Sequence, residues 1–349
     1  MLLKHLTLQN FRNYTKSEFG FNSKTTIIIG PNAIGKSNIL EAIYLLSTGK
    51  SFRTDRDKQL LKFGQNNCRI KGFLDDELEV VLVESATGFL QKKYLINGVS
   101  KRRADFAVKM PVVLFTPLDL DLVAGQPGVR RRFLDEVLMQ TDSEYHQSLI
   151  SYTKALRQRN ALLEQVQETG SRDEERFSYW DDLLIKNGQS LSKKRAGLIE
   201  YINNRKKEIY DFDLEYDKSE ISKDRLMQYK NAEVGAGVTL VGPHRDDVMI
   251  TSQNKISKTI DEVRYFGSRG QQRLVSLELK LAQIALIKEK TENEPLLLLD
   301  DVFSELDATN IGHVLNLMDI YQTIATTTHE EFIGKRDLKN TTVIELGNK

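Results

Sequence analysis

The residues richest in chemistry are consecutive: Gly30-Pro31-Asn32-Ala33-Ile34-Gly35-Lys36-Ser37. They fit the spacing Gly, four residues, Gly-Lys-Ser, which suits a loop that cradles phosphate. Gly30 and Gly35 leave room for the backbone to curl and can take positive φ. Free N–H groups, together with the positive end of a following helix, attract an anion. Lys36 would reach the β- and γ-phosphates, and the Ser37 hydroxyl would ligate Mg²⁺. The loop implies a nucleoside triphosphate without saying what the triphosphate is for.

Three later stretches offer complementary chemistry. An apolar run, Leu296-Leu297-Leu298-Leu299, ends in Asp300-Asp301. Carboxyl ends of parallel strands line a crevice. From a strand neighbouring the glycine loop, Asp300 would bind Mg²⁺, and Asp301 would orient or deprotonate an attacking water. Ser268-Arg269-Gly270-Gln271 opens an amphipathic helix and reads as a second anion-binding helix start. His329 ends a stretch from Tyr321 that reads as a strand, and it could sense a γ-phosphate. Each has a plainer reading when taken singly: a capped turn for Ser268 and Gln271, a structural histidine for His329.

The elements that must position these groups are legible around them. Thr25–Ile29 is a β-branched apolar run that reads as a buried strand. Ile39, Leu40, Ile43, Tyr44 and Leu46 recur at helical spacing behind the loop. The N-terminal third is β-rich, with strands expected near 68–73, 78–83 and 111–115 and an Asn97-Gly98 hairpin signal. From about Arg130 to Lys230 the texture becomes helical. Two helices joined across Glu168–Asp173 read as an antiparallel hairpin with a coiled-coil-like seam. Arg159, Asn187 and Lys194 interrupt the seam, so it should pack against something besides the partner helix. Val238–Val241 reads as a return to strand.

The 349 residues are 40% hydrophobic and 28% charged, ordinary for a soluble globular chain. Net charge is +1, so a nucleic-acid partner must be argued from local clusters. Those clusters are Lys101-Arg102-Arg103, Arg130-Arg131-Arg132, Lys193-Lys194-Arg195 and Arg205-Lys206-Lys207, each of which could equally be a solvated face. Cys68 is the sole cysteine, which excludes an internal disulfide and a multi-cysteine zinc site. The N-terminal segment is too polar for a signal peptide, and no apolar run approaches the ~20 residues that span a bilayer. A cytoplasmic location is expected. His244-Arg245-Asp246 superficially suggests a kinase loop, but Thr251 stands where asparagine is needed.

Taken together, these stretches resemble the ATP-binding-cassette ATPase heads of the SMC class, and within that class the RecF family of bacterial recombination mediators. The resemblance rests on Phe11-Arg12-Asn13-Tyr14, Gly30–Ser37, Ser51-Phe52-Arg53-Thr54, Gly242-Pro243-His244-Arg245-Asp246-Asp247, Phe266–Arg273 and Leu298–Asp307. It implies an α/β fold, an ABC/SMC-type P-loop ATPase head of mixed β-sheets and helices with an inserted helical-hairpin lobe. The head is expected at 1–129 and 235–349 and the lobe at 130–234.

The resemblance also implies that Ser268, Gly270 and Gln271 act in trans, closing over ATP held by Lys36 of a second subunit. Arg12, Asn13, Arg53 and Asp307 would join the nucleotide site, and Lys36, Asp301 and His329 would carry catalysis. Asp301 departs from the glutamate usual in cassette ATPases, which fits slow, Mg²⁺-dependent, DNA-stimulated turnover. No convincing Q-loop glutamine follows Val112–Phe115 directly; Thr116 or Asp119 would stand in its place. The implied partners are single-stranded, duplex and gapped DNA, a second copy of the chain, and RecR, RecO and RecA. A DNA-binding module using ATP as a structural ligand, or another SMC-like head, is the alternative.

Overall fold

The computed structural model describes residues 2–21, 24–253, 258–304, 308–328 and 341–347. The chain divides into two compact units, one of residues 1–119 with 283–349 and one of residues 120–282. The helical segment 130–234 lies inside the second.

The first unit begins with β1 (His5–Phe11), β2 (Tyr14–Gly20), β3 (Thr25–Ile29) and α1 (Lys36–Thr48). It continues through β4 (Asn67–Phe73), β5 (Glu77–Glu84), β6 (Leu90–Ile96), β7 (Val99–Lys101), α2 (Arg103–Ala107) and β8 (Val112–Phe115). The second unit contains α3 (Asp121–Ala124), α4 (Pro127–Thr141), α5 (Ser143–Thr169), α6 (Glu174–Asn204), β9 (Asp213–Asp217) and α7 (Lys223–Ala236). After these come β10 (Asp247–Gln253), β11 (Ile260–Glu262), α8 (Val263–Phe266) and α9 (Arg269–Thr291), within which the boundary falls. The first unit then resumes with β12 (Leu296–Asp300), α10 (Ala308–Ile320), β13 (Thr323–Thr327) and β14 (Thr341–Glu345).

Two sheets form the first unit. One is antiparallel, in the order β2-β1-β4-β5-β6-β7. Its inward residues alternate along each strand: Leu6 and Leu8, Cys68 and Ile70, Leu78, Val80 and Leu82, all essentially inaccessible. They cover Ile39, Leu40, Ile43 and Leu46 of α1 in one core. A Cβ at Gly72 would lie 2.8 Å from Leu46, so glycine lets β4 approach that helix. The other sheet is parallel, in the order β14-β3-β13-β12-β8. Buried parallel strands read as continuous apolar runs, and Leu296–Leu299 obeys this with every residue buried.

The strand order corrects one expectation. The strand ending at Asp300 does not neighbour the glycine-loop strand; β13 lies between them, in parallel register with both. Parallel order is set by non-local packing, which a one-dimensional pattern does not contain.

In the second unit α5 and α6 form the expected antiparallel hairpin, closed by Leu162, Leu163, Val166 and Phe177. Of the seam's polar residues, Arg159 finds partners beyond the hairpin, whereas Asn187 donates to the Leu183 carbonyl of its own helix and Lys194 reaches the start of α5. Arg159, 1% exposed, bonds Asp181 at 2.6 Å, Glu233 of α7 at 2.7 Å and the Thr239 hydroxyl at 3.0 Å. Lys194 bonds Asp142 at 2.6 Å.

The segment 238–241 is not a strand. Its backbone donors go to side chains instead: Thr239 N–H to Asn160 at 2.9 Å and Leu240 N–H to Glu233 at 2.9 Å. Gly242 N–H next to it donates to Ser219 at 3.1 Å. Apolar, β-branched composition suggested a ladder, but buried N–H groups require only some acceptor. The strand content lies on either side, in β9 and β10, which pair antiparallel.

The Gly242–Asp247 motif is the hub of this unit. Asp246 is buried and accepts from Arg195 at 2.9 Å, from Ser219 N–H at 2.8 Å and from the Tyr216 hydroxyl. Asp247 takes a bidentate pair from Arg130, at 2.8 and 2.9 Å. His244 is fixed between the Tyr152 hydroxyl, 2.7 Å from Nδ1, and the Thr239 carbonyl, 3.0 Å from Nε2. Nε2 therefore carries the proton and Nδ1 accepts.

Burial, reinforced by Arg245, Arg131 and Arg159, outweighs the bond to Thr239 and pushes the His244 pKa down from 6.5 to about 4. The folded chain holds a neutral imidazole where the unfolded chain would protonate it. This contribution to stability is complete above pH 6.5 and is lost as pH falls toward 4, a change on the order of 3 kcal/mol. Trp180 is the only tryptophan and packs on the hairpin core of this unit. Denaturation followed by its fluorescence is expected to show stability falling from pH 7 to 4.5. His244→Gln should be less stable at neutral pH and flatter over that window; an equally steep variant would refute the assignment.

Candidate functional site

Strand β3 delivers the chain into the loop Gly30–Gly35, and α1 begins at Lys36. Ala33 (φ 64°) and Gly35 (φ 115°) take the left-handed region, which curls the loop. At Gly35 a Cβ would sit 2.7 Å from the Asn13 amide and 2.9 Å from the Tyr14 hydroxyl. At Gly30 it would meet the Leu346 carbonyl at 2.5 Å, just beyond β14. Both glycines are therefore fixed by close approach within the chain.

Lys36 is folded back on its loop. Its ammonium donates to the Gly30 carbonyl at 2.6 Å and the Pro31 carbonyl at 2.9 Å. Burial lowers its pKa, against the opposing pull of Asp301 and Asp300. Ser37 donates to Asp300 Oδ1 at 2.7 Å. Thr326, at the end of β13, donates to the same oxygen at 2.9 Å and accepts the Asp301 N–H at 3.1 Å. Thr326 thus bridges the gap that the strand order opens. Asp301 sits at φ 52°, its N–H also meeting the Thr326 carbonyl at 3.2 Å. A non-glycine residue held there is unusual and costs about 1 kcal/mol or more.

The Ser37 and Asp300 oxygens suit a small hard cation. In an octahedron with bonds of ~2.1 Å, adjacent oxygens lie about 3.0 Å apart, somewhat more than the 2.7 Å hydrogen bond that joins them here. Among the described residues no group of three or more His, Cys, Asp or Glu is placed to hold a metal. Two protein oxygens supplemented by phosphate and water are what Mg²⁺ prefers.

The Arg12-Asn13 turn closes over the loop. Asn13 donates to the Ile34 carbonyl at 2.9 Å and accepts from Asn38 at 2.8 Å. Arg53 reaches Asn38 at 2.7 Å. Arg12 bonds the fully buried Glu41 through two nitrogens, at 2.8 and 2.5 Å. Ser51 bonds Glu41 as well. The structure therefore gathers Gly30–Ser37, Arg12, Asn13, Arg53, Asp300 and Asp301 in one unit.

Glu41, Asn38 and Thr326 belong to the same cluster and were not singled out from sequence; Tyr14, noted there only for the resemblance, bonds the Gly35 carbonyl. Glu41 had a signal: a carboxylate on the apolar face of α1. Asp119, one candidate for the missing glutamine, accepts the Thr116 N–H at 2.9 Å in a tight turn. His329 and Asp307 lie outside the described residues.

In the second unit, Ser268 and Gln271 form a reciprocal box at the start of α9. Ser268 Oγ accepts the Gln271 N–H at 3.2 Å, and Gln271 Oε1 accepts the Ser268 N–H at 2.7 Å. Ser268, Arg269 and Gly270 are exposed. A Cβ at Gly270 would meet only Ser268 Oγ, at 3.8 Å, so local packing does not require glycine there. Gln272 is buried and holds the carbonyls of Val263, Arg264 and Gly267, fixing α8 against the loop.

A family model described as RecF/RecN/SMC N terminal domain matches residues 2–345. The chain belongs to this family, among its RecF proteins. It is 36% identical over 371 aligned residues to the DNA replication and repair protein RecF of Bacillus cereus strain AH820, with 100% of this chain and 97% of the relative covered. The same figures hold for that of Bacillus anthracis strain A0248. A solved structure of the recombination mediator protein RecF with ATP, in the RecFOR pathway, superposes with TM-score 0.82 at 30% identity, covering 94% of this chain and 92% of that one. An Smc head bound to the C-winged helix domain of ScpA gives TM-score 0.50 at 15% identity over 96% and 92% of the two chains, a likeness of fold alone. The architecture is thus an ABC/SMC-type ATPase head with an inserted helical lobe.

Asp300→Asn is expected not to weaken nucleotide affinity measured without Mg²⁺, because it removes a negative charge from beside the phosphates. The gain in affinity on adding Mg²⁺ should disappear in calorimetric titrations. A variant with the full Mg²⁺ gain would remove Asp300 from the metal site.

Proposed function

We propose that this chain is an ATP-dependent DNA-binding protein of recombinational repair and replication-fork recovery. The observation carrying this reading is the Ser37–Asp300 contact at the mouth of the phosphate loop, in a chain of the RecF family. Lys36 leaves its two carbonyls to meet the β- and γ-phosphates of ATP. Ser37 and Asp300 then hold Mg²⁺. Asp301 orients the attacking water. Ser268, Gly270 and Gln271 of a second copy close over the γ-phosphate. Ser268 Oγ accepts from the Gln271 N–H, so its own O–H is left to donate to the phosphate. His329, Asp307, Arg12, Asn13 and Arg53 complete the nucleotide site.

ATP thereby joins two copies into a homodimer that clamps DNA near single-strand gaps. With RecO and RecR it helps direct RecA loading. Hydrolysis is slow because an aspartate carboxylate is one methylene shorter than the glutamate of most cassette ATPases, and it reopens the clamp. The alternative, ATP as a purely structural ligand, draws support from the same short carboxylate.

Light scattering is expected to show the molar mass doubling when MgATP is added to wild-type protein, and no doubling for Lys36→Met. A Lys36→Met protein that dimerised normally would sink the proposal. Asp301→Asn separates the two readings. It should bind ATP and DNA normally, cut turnover by at least about tenfold, and release DNA more slowly. Unchanged release would favour the structural-ligand reading.

A further inference from the structure

The first unit carries a cleft of about 630 Å³ away from the phosphate loop. Its walls include Lys58, Lys62, Gln59, Gln65 and Asn66, with Phe63 at the rim. Phe63 is 101% exposed, so its ring packs against nothing in the chain. Gly64 beside it, at φ 78°, makes the turn that presents the ring. A bare aromatic face, amide side chains and two ammonium groups around a nucleotide-sized cleft form a specific combination. Rings stack on unpaired bases, amides bond base edges, and cations meet the backbone. The cleft volume is also in the range that encloses a small ligand.

The segment leading to the cleft is basic. Lys50, Arg53, Arg56, Lys58 and Lys62 stand against Asp55 and Asp57 between residues 50 and 62. Glu84 is the one carboxylate in the cleft and is ion-paired with Lys58 at 2.5 Å. Lys62 donates to the Asn13 carbonyl at 3.3 Å and to Thr15. Lys62 N–H bonds the Asn10 carbonyl at 2.8 Å, and Arg12 N–H bonds the Leu60 carbonyl at 2.9 Å. The Asn13 side chain in turn holds the phosphate loop at Ile34. The cleft is thus joined through a single turn to the loop that would take ATP.

We propose that this cleft binds an unpaired nucleobase of single-stranded DNA, stacked on Phe63, with Lys58 and Lys62 on the flanking phosphates. The assignment rests on the DNA-binding reading above and adds to it a strand-selective contact. A gap presents unpaired bases and a blunt duplex does not, so this cleft would favour the gap.

Affinity of the full-length chain with MgATP is measured for a labelled single-stranded oligodeoxynucleotide, a gapped duplex and a blunt duplex, at several salt concentrations. Phe63→Ala is expected to weaken single-stranded and gapped DNA by at least about fivefold and leave blunt duplex unchanged. Its salt slope should stay that of wild type, because the ring neutralises no phosphate. Glu84→Gln, which frees Lys58, should tighten single-stranded DNA. Phe63→Trp should retain affinity and lose emission on binding, read in a Trp180→Phe background.

Wild-type affinity in Phe63→Ala for all three DNAs overturns the cleft assignment while leaving DNA binding intact, and would point to a protein partner for the ring. Equal weakening on all three, with a changed slope, overturns stacking. If the wild-type chain binds no DNA with ATP, the functional reading and this inference fall together.

Discussion

Ser37 and Asp300 are separated by 263 positions in the chain and by one intervening strand in the sheet, yet their oxygens lie 2.7 Å apart. The first unit is organised to make that contact. It needs α1 to start where β3 ends and β12 to end level with that start. It also needs Thr326 on β13 to support Asp300 from the side. Asp300 and Asp301 bring negative charge to the mouth of the phosphate loop, beside the buried Lys36 ammonium. A triphosphate adds more. Charges at ~4 Å in a partly dry site repel by several kcal/mol, so anionic nucleotide must arrive with a cation. In the proposed function the Ser37–Asp300 oxygen pair would take that cation.

A second constraint surrounds the first. Glu41 is wholly buried in α1, which would be prohibitive for a lone carboxylate. Arg12 and Ser51 make it tolerable, and Arg53 stands 4.0 Å away. Buried pairs of this kind add little net stability but penalise every other arrangement of the segments that meet there. Here they fix two segments, 10–15 and 50–54, against the helix behind the phosphate loop. Arg12 holds a left-handed backbone, φ 54°, to do so. The turn it forms is clamped by Asn13 on one side and by the 60–62 segment on the other. Displacement at either side is therefore felt at the other.

The glycine loop and its flanks were legible because motif, strand and helix are contiguous, and each is specified by residues next to it. Asp300 and Ser37 were paired from sequence as well, by the chemistry of the motif. That β13 lies between their strands was not legible, since parallel order depends on which faces helices cover. Val238–Val241 misled because composition reports burial, whereas the acceptors of its N–H groups are side chains of Asn160 and Glu233. Arginine runs misled in the same way. Arg130 and Arg195 looked like surface charge, but their carboxylates, Asp247 and Asp135, lie 117 and 60 positions away. A charge run shows the cost of burial without showing the partner that offsets it.

That internal use of arginine bears on how the chain would hold a polyanion. Arg130, Arg195 and Arg205 are paired with Asp247, Asp135 and Glu278, while Lys101, Arg102, Arg132, Lys193 and Lys206 remain exposed. With a net charge of +1, a single copy offers only scattered phosphate contacts, and its affinity should be modest at physiological salt. Joining two copies doubles the number of phosphates neutralised. Because the logarithm of affinity scales with that number, and the second half binds at the effective concentration set by the first, a weak surface becomes a tight one only in the dimer. Under the proposed function a nearly neutral chain would be an advantage: a clamp of two copies would grip DNA when ATP joins them and let go when it does not.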